Sequence, residues 1–173
     1  MKKHIHVLVL FLIVTNIAFT QNHAYAIKQR AVKMATAFSN FRLDEYVTYL
    51  HPSLINAQGG TLKIKQTQDS INKYQKMFGV KISKVLIGEV SKIETYKKQL
   101  QAIFPMTTTI ATPMGEMKTK TNVIALSDDG GLNWFFIDGM FYNAQKTSSK
   151  LPKLSPKIIV PPTEQPKLES IKN

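Results

Sequence analysis

Residues 100–125, LQAIFPMTTTIATPMGEMKTKTNVIA, decide the fold. On both sides of a turn, their side chains alternate between two faces of different character with a period of two. One face of the first half carries Leu100, Ala102, Phe104, Met106, Thr108 and Ile110. Residues 113–116, PMGE, have the composition of a hairpin turn. In the second half, Thr119, Thr121, Val123 and Ala125 share one face and Lys118, Lys120 and Asn122 the other. The stretch therefore predicts two long antiparallel strands.

The segments on either side of this hairpin are also predicted to be strands. After Gly79, Val85, Ile87 and Ile93 alternate with polar neighbours. Residues 128–131, DDGG, turn the chain into the strand LNWFFID, residues 132–138. In that strand Trp134 and Phe136 point one way, and Phe135 and Ile137 point the other. Because both faces are bulky, we expect this strand to be central in the sheet and covered on both sides.

Three amphipathic helices are predicted before the strands, from apolar residues spaced at about 3.6. The first carries Ala31, Met34, Ala35 and Phe38, and the second Leu43, Tyr46, Val47 and Leu50. Pro52 is expected to end the second helix, and Gly59-Gly60 to form a turn. The third, about Gln66 to Phe78, is expected to turn Ile71, Tyr74 and Phe78 to the core and to end at Gly79. Helices followed by consecutive strands predict an α+β fold, with N-terminal helices packed on a curved antiparallel sheet.

Residues 1–26 are typical of a cleavable signal peptide. A basic start, the apolar run VLVLFLIV (residues 7–14) and the small residues Ala24 and Ala26 place the cut after Ala26. A transmembrane anchor is the alternative, but a bilayer needs about 20 consecutive apolar residues, and polar residues interrupt this run. The sequence thus predicts an exported protein, periplasmic or secreted, that is soluble after cleavage.

Composition indicates one basic domain and a tail. The net charge of +12 favours anionic partners, and the absence of cysteine excludes a disulfide framework and lipid attachment through cysteine. We expect the domain to span residues 27–143. Residues 144–173 contain five of the eight prolines and many lysines, and predict a disordered or extended polyproline-type tail. Such a tail is either a solvated spacer or a contact with an anionic surface or a partner groove.

The chain resembles the NTF2-like superfamily, which has the cystatin-like cone fold. The resemblance covers about residues 27–141 and rests on element order, on AFSNFRLDEYVTYLHPSLINAQGG (residues 37–60) leading into the third helix, and on the final strand with Trp134. It implies a strongly curved sheet wrapped around a long first helix, a conical cavity, and homodimers as a common state. The superfamily includes isomerases and dehydratases as well as binding domains, so the fold alone does not supply a function.

Residues 127–134, SDDGGLNW, match the Asp-box pattern of sialidase-type propeller blades. In those blades the Asp and Gly shape a hairpin turn and the Trp packs beneath it. A propeller needs several such repeats, and this chain has one. The pattern therefore predicts a structural hairpin and not a glycan site.

The sequence contains few residues in patterns typical of a catalytic, metal or cofactor site. His51 is the only histidine after residue 26, so neither a zinc site nor a Ser-His-Asp device is expected, and His51 is predicted to cap a helix or lie half exposed. No glycine-rich phosphate-binding loop is present, and no cofactor, metal or catalytic residue is predicted. Lys92, Lys97 and Lys98 around Tyr96 fit a solvated hairpin, so no specific nucleic acid partner is expected.

The leading hypothesis is an exported, non-catalytic NTF2-like domain that binds a small apolar ligand or a protein partner. One alternative is a small lyase or isomerase with acid–base groups drawn from Tyr46, Tyr49, His51 and Asp138. Another is a basic adaptor that binds anionic envelope surfaces through its tail. The predicted pocket residues are Tyr46, Tyr49, His51, Phe104, Met106, Trp134, Phe136 and Asp138.

Overall fold

Four helices precede the sheet in the computed structural model, which describes residues 22–145 and 149–169. They are α1 (22–39), α2 (Leu43–Val47), α3 (Pro52–Ala57) and α4 (Thr61–Met77). The strands are β1 (Lys81–Ile87), β2 (Glu94–Tyr96), β3 (Gln99–Thr112), β4 (Gly115–Ser127) and β5 (Phe135–Asp138). A short helix, α5 (Gly139–Ala144), and a last strand, β6 (Lys167–Glu169), follow. The predicted α+β class is confirmed.

The sheet is antiparallel and is built around the β3–β4 hairpin. Its order is β1-β3-β4-β5, with β2 also pairing with β3 and β6 with β4. The hairpin register runs from Leu100 opposite Ser127 to Thr112 opposite Gly115, which confirms the two strands predicted from their alternation. β5 ends the order rather than lying centrally, because within residues 22–145 and 149–169 its outer edge has one isolated bridge, between Phe136 and Leu50, and no further strand.

The two faces of the sheet are both covered. The inner face, which includes Phe104, Val123 and Phe136, packs against Ile27 and Met34 of α1 in one buried cluster. The outer face, which includes Ile124, Leu126 and Ile137, belongs to a second cluster that also contains Leu151 and buried side chains of α2 to α5. Strand side chains alternate between faces, so one hairpin supplies both clusters.

The second predicted helix is shorter than expected, and a further helix follows it. α2 ends at Val47, because the backbone beyond it pairs with β5 instead. The Phe136 N–H donates to Tyr49 O at 2.9 Å, and the His51 N–H donates to Phe136 O at 3.0 Å. Pro52 then begins α3, where a proline at the first helical position loses no hydrogen bond.

The orientation predicted for α4 is wrong. Tyr74 is 63% exposed, Phe78 61% and Ile71 41%, whereas Ile64 and Asn72 are buried. α4 packs on α2 and α3, and Ile64 is the side chain that it adds to the buried core, so a different stripe of the helix turns inward. The chain leaves α4 at Gly79, whose φ of 64° confirms the expected left-handed position.

Residues 149–169, here called the C-terminal segment, differ from the predicted disordered tail. Leu151 and Ser155 are buried, and Lys167–Glu169 pairs with Glu116–Lys118 of β4. The physical reason is that Ile124 and Leu126, on the outer face of β4, are apolar and are covered by Leu151. The structure therefore extends the fold beyond the predicted boundary at residue 143.

The predicted cleavage position after Ala26 falls inside α1. The His23 ring lies edge-on to the Trp134 ring with centroids 5.9 Å apart, and it occupies the space a Cβ on Gly131 would need. The rest of the predicted signal peptide, residues 1–21, lies outside the described residues. Within the described residues, no helix is long and apolar enough to cross a membrane.

Candidate ligand-binding cavity

A cavity of about 460 Å³ lies between the inner face of the sheet and the helices. α1 forms one wall, the sheet forms the floor, and residues from α2 to α5 close the sides. Most of its wall is apolar. The apolar lining residues are Met34, Ala35, Phe38, Leu50, Leu54, Ile64, Val85, Met106, Ile110, Val123, Phe136, Met140 and Phe141.

Three threonines make a polar strip on the floor of this cavity. Thr108 and Thr119 are direct cross-strand partners, and Thr121 follows Thr119 on the same face of β4. The Thr121 hydroxyl oxygen is buried and has no hydrogen-bond partner among the described residues. Buried hydroxyls are normally hydrogen-bonded, so this oxygen has unused hydrogen-bonding capacity in the wall of the cavity.

Asp138 lies where β5 meets the strip, because it is the cross-strand partner of Val123. Its Oδ1 accepts hydrogen bonds from the Met140 N–H at 2.9 Å and the Phe141 N–H at 3.0 Å, so Asp138 caps the start of α5. Burial, and to a lesser extent the charge of Asp138, raise the pKa of Tyr46 to about 12. Tyr46 is therefore a neutral hydrogen-bonding phenol at physiological pH.

The charge of the cavity lining is opposite to the charge of the whole chain. Among the described lining residues, none is Lys, Arg or His, and Asp138 is the one charged side chain. The remaining polar lining groups are Tyr46, Gln58, Gln68 and the threonine strip. The chain as a whole carries a net charge of +12.

The structure brings four of the eight predicted pocket residues to the cavity wall. These are Tyr46, Met106, Phe136 and Asp138. Phe104 and Trp134 lie instead in the buried cluster under α1. Tyr49 is also buried there, and its hydroxyl donates to Glu45 Oε1 at 3.0 Å.

His51 lies apart from the cavity, at the start of α3. Its Nδ1 accepts from the Ser53 N–H at 3.2 Å, so it caps the start of α3, which was not predicted, and not the end of the second predicted helix. Its Nε2 is 3.6 Å from Asp128 Oδ2, longer than a hydrogen bond. Burial lowers the pKa of His51, and the Asp128 carboxylate opposes that shift.

The Asp-box hairpin has the structural role that was predicted. Asp129 Oδ1 accepts from the Asn133 N–H at 2.9 Å and Asp129 Oδ2 from the Asn133 amide at 2.7 Å. Ser127 Oγ accepts from the Gly131 N–H at 2.9 Å, and Trp134 is buried beneath the turn. Hydrogen bonds, chiefly from Asn133, lower the pKa of Asp129 to about 2.

The polar strip and the helix side of the cavity were missed as site residues. Alternation places Thr108 on the face of Met106, and Thr119 and Thr121 on the face of Val123. Pairing the two strands across their turn would have joined these threonines. Ile64 and Gln68 had no such signal, because their place on the wall depends on the orientation of α4.

No group of three or more His, Asp or Glu side chains that could hold a metal ion occurs within residues 22–145 and 149–169. No family model and no curated protein matches the sequence.

Proposed function

We propose that this chain is an exported NTF2-like domain without catalytic activity that binds a small apolar ligand in the cavity under α1. The observation that carries the proposal is the cavity of about 460 Å³ with its mostly apolar wall. Small-molecule sites are typically clefts of about 300–1,000 Å³ lined by apolar side chains with a few polar groups.

The position of the cavity also supports the proposal. Side chains on the wall face an empty volume and lack the dispersion contacts that packed core atoms have. An apolar ligand would supply those contacts. It would also bury its own surface, which stabilises the complex by about 25 cal/mol per Å² of apolar area removed from water. The order of helices and strands, with a long helix across the inner face of the sheet, is the arrangement that the NTF2-like resemblance implies.

A binding titration with a neutral fluorescent probe, N-phenyl-1-naphthylamine, tests this function. We expect saturable binding, and a loss of at least tenfold in affinity in the variant A35L/T119L, because both larger side chains project into the cavity. Val32→Leu, on the exposed side of α1, is the control and should bind as the parent does. Failure of the parent to bind, or undiminished binding by a folded A35L/T119L, would remove the proposal.

A protein partner is the other occupant that the leading hypothesis allows. The C-terminal end of α4 presents the exposed apolar side chains of Tyr74, Met77 and the C-cap residue Phe78, which support a contact at that end of the helix. Substituting all three by Ser leaves the cavity wall untouched. If the domain acts through its cavity, probe affinity should stay within about twofold of the parent.

A lyase or isomerase is the second candidate, because Tyr46 and Asp138 share one cavity wall. Asp138 would act as a base and the neutral Tyr46 phenol as a hydrogen-bond donor. The probe reaction is proton abstraction from 5-nitrobenzisoxazole, which reports on a desolvated carboxylate base. Turnover lost in Asp138→Asn would support this candidate, and a rate no faster than free acetate at equal concentration would exclude it.

The adaptor hypothesis is supported by exposed lysines of the C-terminal segment, such as Lys153 and Lys167. Their contribution to binding an anionic surface must weaken with salt, because the Debye length falls from about 10 Å at 0.1 M to about 3 Å at 1 M. Sedimentation with anionic vesicles at both ionic strengths tests it. Binding that is unchanged between the two would exclude this function.

A further inference from the structure

Asp138 puts a negative charge on the wall of a cavity that has no basic lining residue among those described. A ligand head group that enters this cavity meets a carboxylate and hydroxyls, and no ammonium or guanidinium. Anionic ligands are usually held by Arg, Lys or clustered N–H donors. The lining therefore contains acceptors for a donor and lacks a counter-charge for an anion.

The hydrogen bonds of Asp138 leave room for such a donor. Both backbone N–H groups of α5 go to one oxygen, Oδ1. An ionised carboxylate has about four lone-pair sites, so Oδ2 keeps its acceptor capacity for a donor in the cavity that Asp138 lines. The same two bonds hold the side chain in place, so its position does not depend on a ligand.

Thr121 is a diagonal cross-strand neighbour of Asp138. Thr121 and Val123 share the inner face of β4, and Val123 is the cross-strand partner of Asp138. Diagonal neighbours of this kind have Cα atoms about 7–8 Å apart, a gap that one polar head group can bridge. A hydroxyl between them would donate to Asp138 and, with the Thr121 side chain rotated toward the cavity, accept from the Thr121 hydroxyl, which is buried and unpartnered among the described residues.

We propose that the cavity selects an apolar ligand with a hydrogen-bond-donating head, an amine or an alcohol, and excludes the carboxylate of the same chain length. This inference rests on the proposed ligand-binding function. An ammonium would pair with Asp138, and a hydroxyl would satisfy both Asp138 and Thr121. A carboxylate would be desolvated next to a like charge.

The test is displacement of N-phenyl-1-naphthylamine by decylamine, decanol and decanoate at pH 7, each below its micelle concentration. The three ligands share an alkyl chain and differ in the head group alone. We expect decylamine and decanol to displace the probe at concentrations at least tenfold lower than decanoate. The net charge of +12 acts in the other direction, because it attracts the anion.

Asp138→Asn isolates the contribution of the carboxylate. Asparagine is as good a helix cap as aspartate, so α5 should keep its start while the charge is lost. The gap between decylamine and decanoate, which is the ratio of the concentrations at which they displace the probe, should shrink to about threefold or less. Glu89→Gln changes the net charge equally at a side chain that is 91% exposed, and it should leave the gap as it is. If Asp138→Asn fails to fold, Asp138→Ser, which also caps, replaces it.

Thr121→Val isolates the contribution of the hydroxyl. It should lower the affinity for decanol by about three- to tenfold, because one neutral hydrogen bond is worth about 0.5–1.5 kcal/mol. The affinity for decylamine should change less. Decanoate displacing the probe as well as decylamine, or an unchanged gap in Asp138→Asn, would overturn this inference and leave the proposed function intact. Absence of probe binding to the parent would remove both.

Discussion

Ser155 donates its backbone N–H to Gln101 Oε1 at 2.8 Å, and this bond fastens the C-terminal segment to the outer face of β3. The Gln101 amide nitrogen in turn donates to Lys153 O at 3.1 Å and to Gln99 Oε1 at 2.8 Å. Gln101 is almost completely buried, so its polar atoms depend on these partners.

Replacing Gln101 by Met should lower the free energy of unfolding by about 2–4 kcal/mol. The substitution keeps the length of the side chain but leaves the Ser155 N–H and the Lys153 carbonyl unpaired, and each such group costs about 1–3 kcal/mol when buried. Urea denaturation measures the change. Ser155→Ala keeps the N–H and is the control, with an expected loss below about 1 kcal/mol. Equal losses in the two variants would show that the bond to Gln101 is not the important contact.

A chain that ends at Gln145 tests the packing of the whole C-terminal segment. Its removal takes Leu151 away from Ile124 and Leu126 and uncovers the outer face of β4. Burying one large apolar side chain contributes about 1.5–3 kcal/mol, so we expect a marked fall in melting temperature and a gain in binding of a hydrophobic dye. A chain that ends at Pro166 keeps Leu151 and should lose much less. Unchanged melting of the shorter chain would restore the disordered-tail interpretation.

The sequence predicted best where one short-range rule governs the structure. In β3 and β4 the alternation of side chains is set by the pleat, so the inner positions of Phe104, Met106 and Val123 follow from their numbers alone. The turn at Asp129 was predicted for the same reason, because the bond to Asn133 spans only four residues.

Long-range packing could not be predicted from these rules. α4 has apolar residues on more than one face, and only its contacts with α2 and α3 decide that Tyr74 is exposed and Asn72 buried. The C-terminal segment has the composition of a disordered tail, yet Leu151 finds an apolar sheet face to cover. The wall of the cavity depends both on strand alternation and on the packing of α4. Met106 and Asp138, which lie on strands, were therefore expected on the wall, and Gln68 of α4 was not.

His51 should make stability fall as the pH drops below 6.5. Burial lowers the pKa of His51 from its ordinary value of 6.5, so the unfolded chain binds the proton more readily than the folded chain. Well above pH 6.5 the group is neutral in both states and contributes no pH dependence. As the pH falls from 6.5 toward the lowered pKa of the folded state, unfolding takes up a proton and the free energy of unfolding decreases.

Urea denaturation from pH 7.5 to pH 5 measures this slope, and His51→Asn should flatten it. Asparagine can still cap α3 through its side-chain oxygen, so the comparison concerns the slope and not the absolute stability. A slope that persists in His51→Asn would assign the proton uptake to another group.

Thr121→Val should stabilise the ligand-free protein, or leave its stability unchanged to within about 0.5 kcal/mol. The Thr121 oxygen is buried without a hydrogen-bond partner among the described residues, and a buried unsatisfied hydroxyl costs about 1–3 kcal/mol. Valine has nearly the same shape, and threonine and valine both favour strands. Urea denaturation of parent and variant gives the difference, with Thr107→Val, on the opposite face of the hairpin, as the matched control. A loss above about 1 kcal/mol confined to Thr121→Val would mean that this hydroxyl already has a partner in the ligand-free cavity, and the selection of head groups by Thr121 would then have no basis.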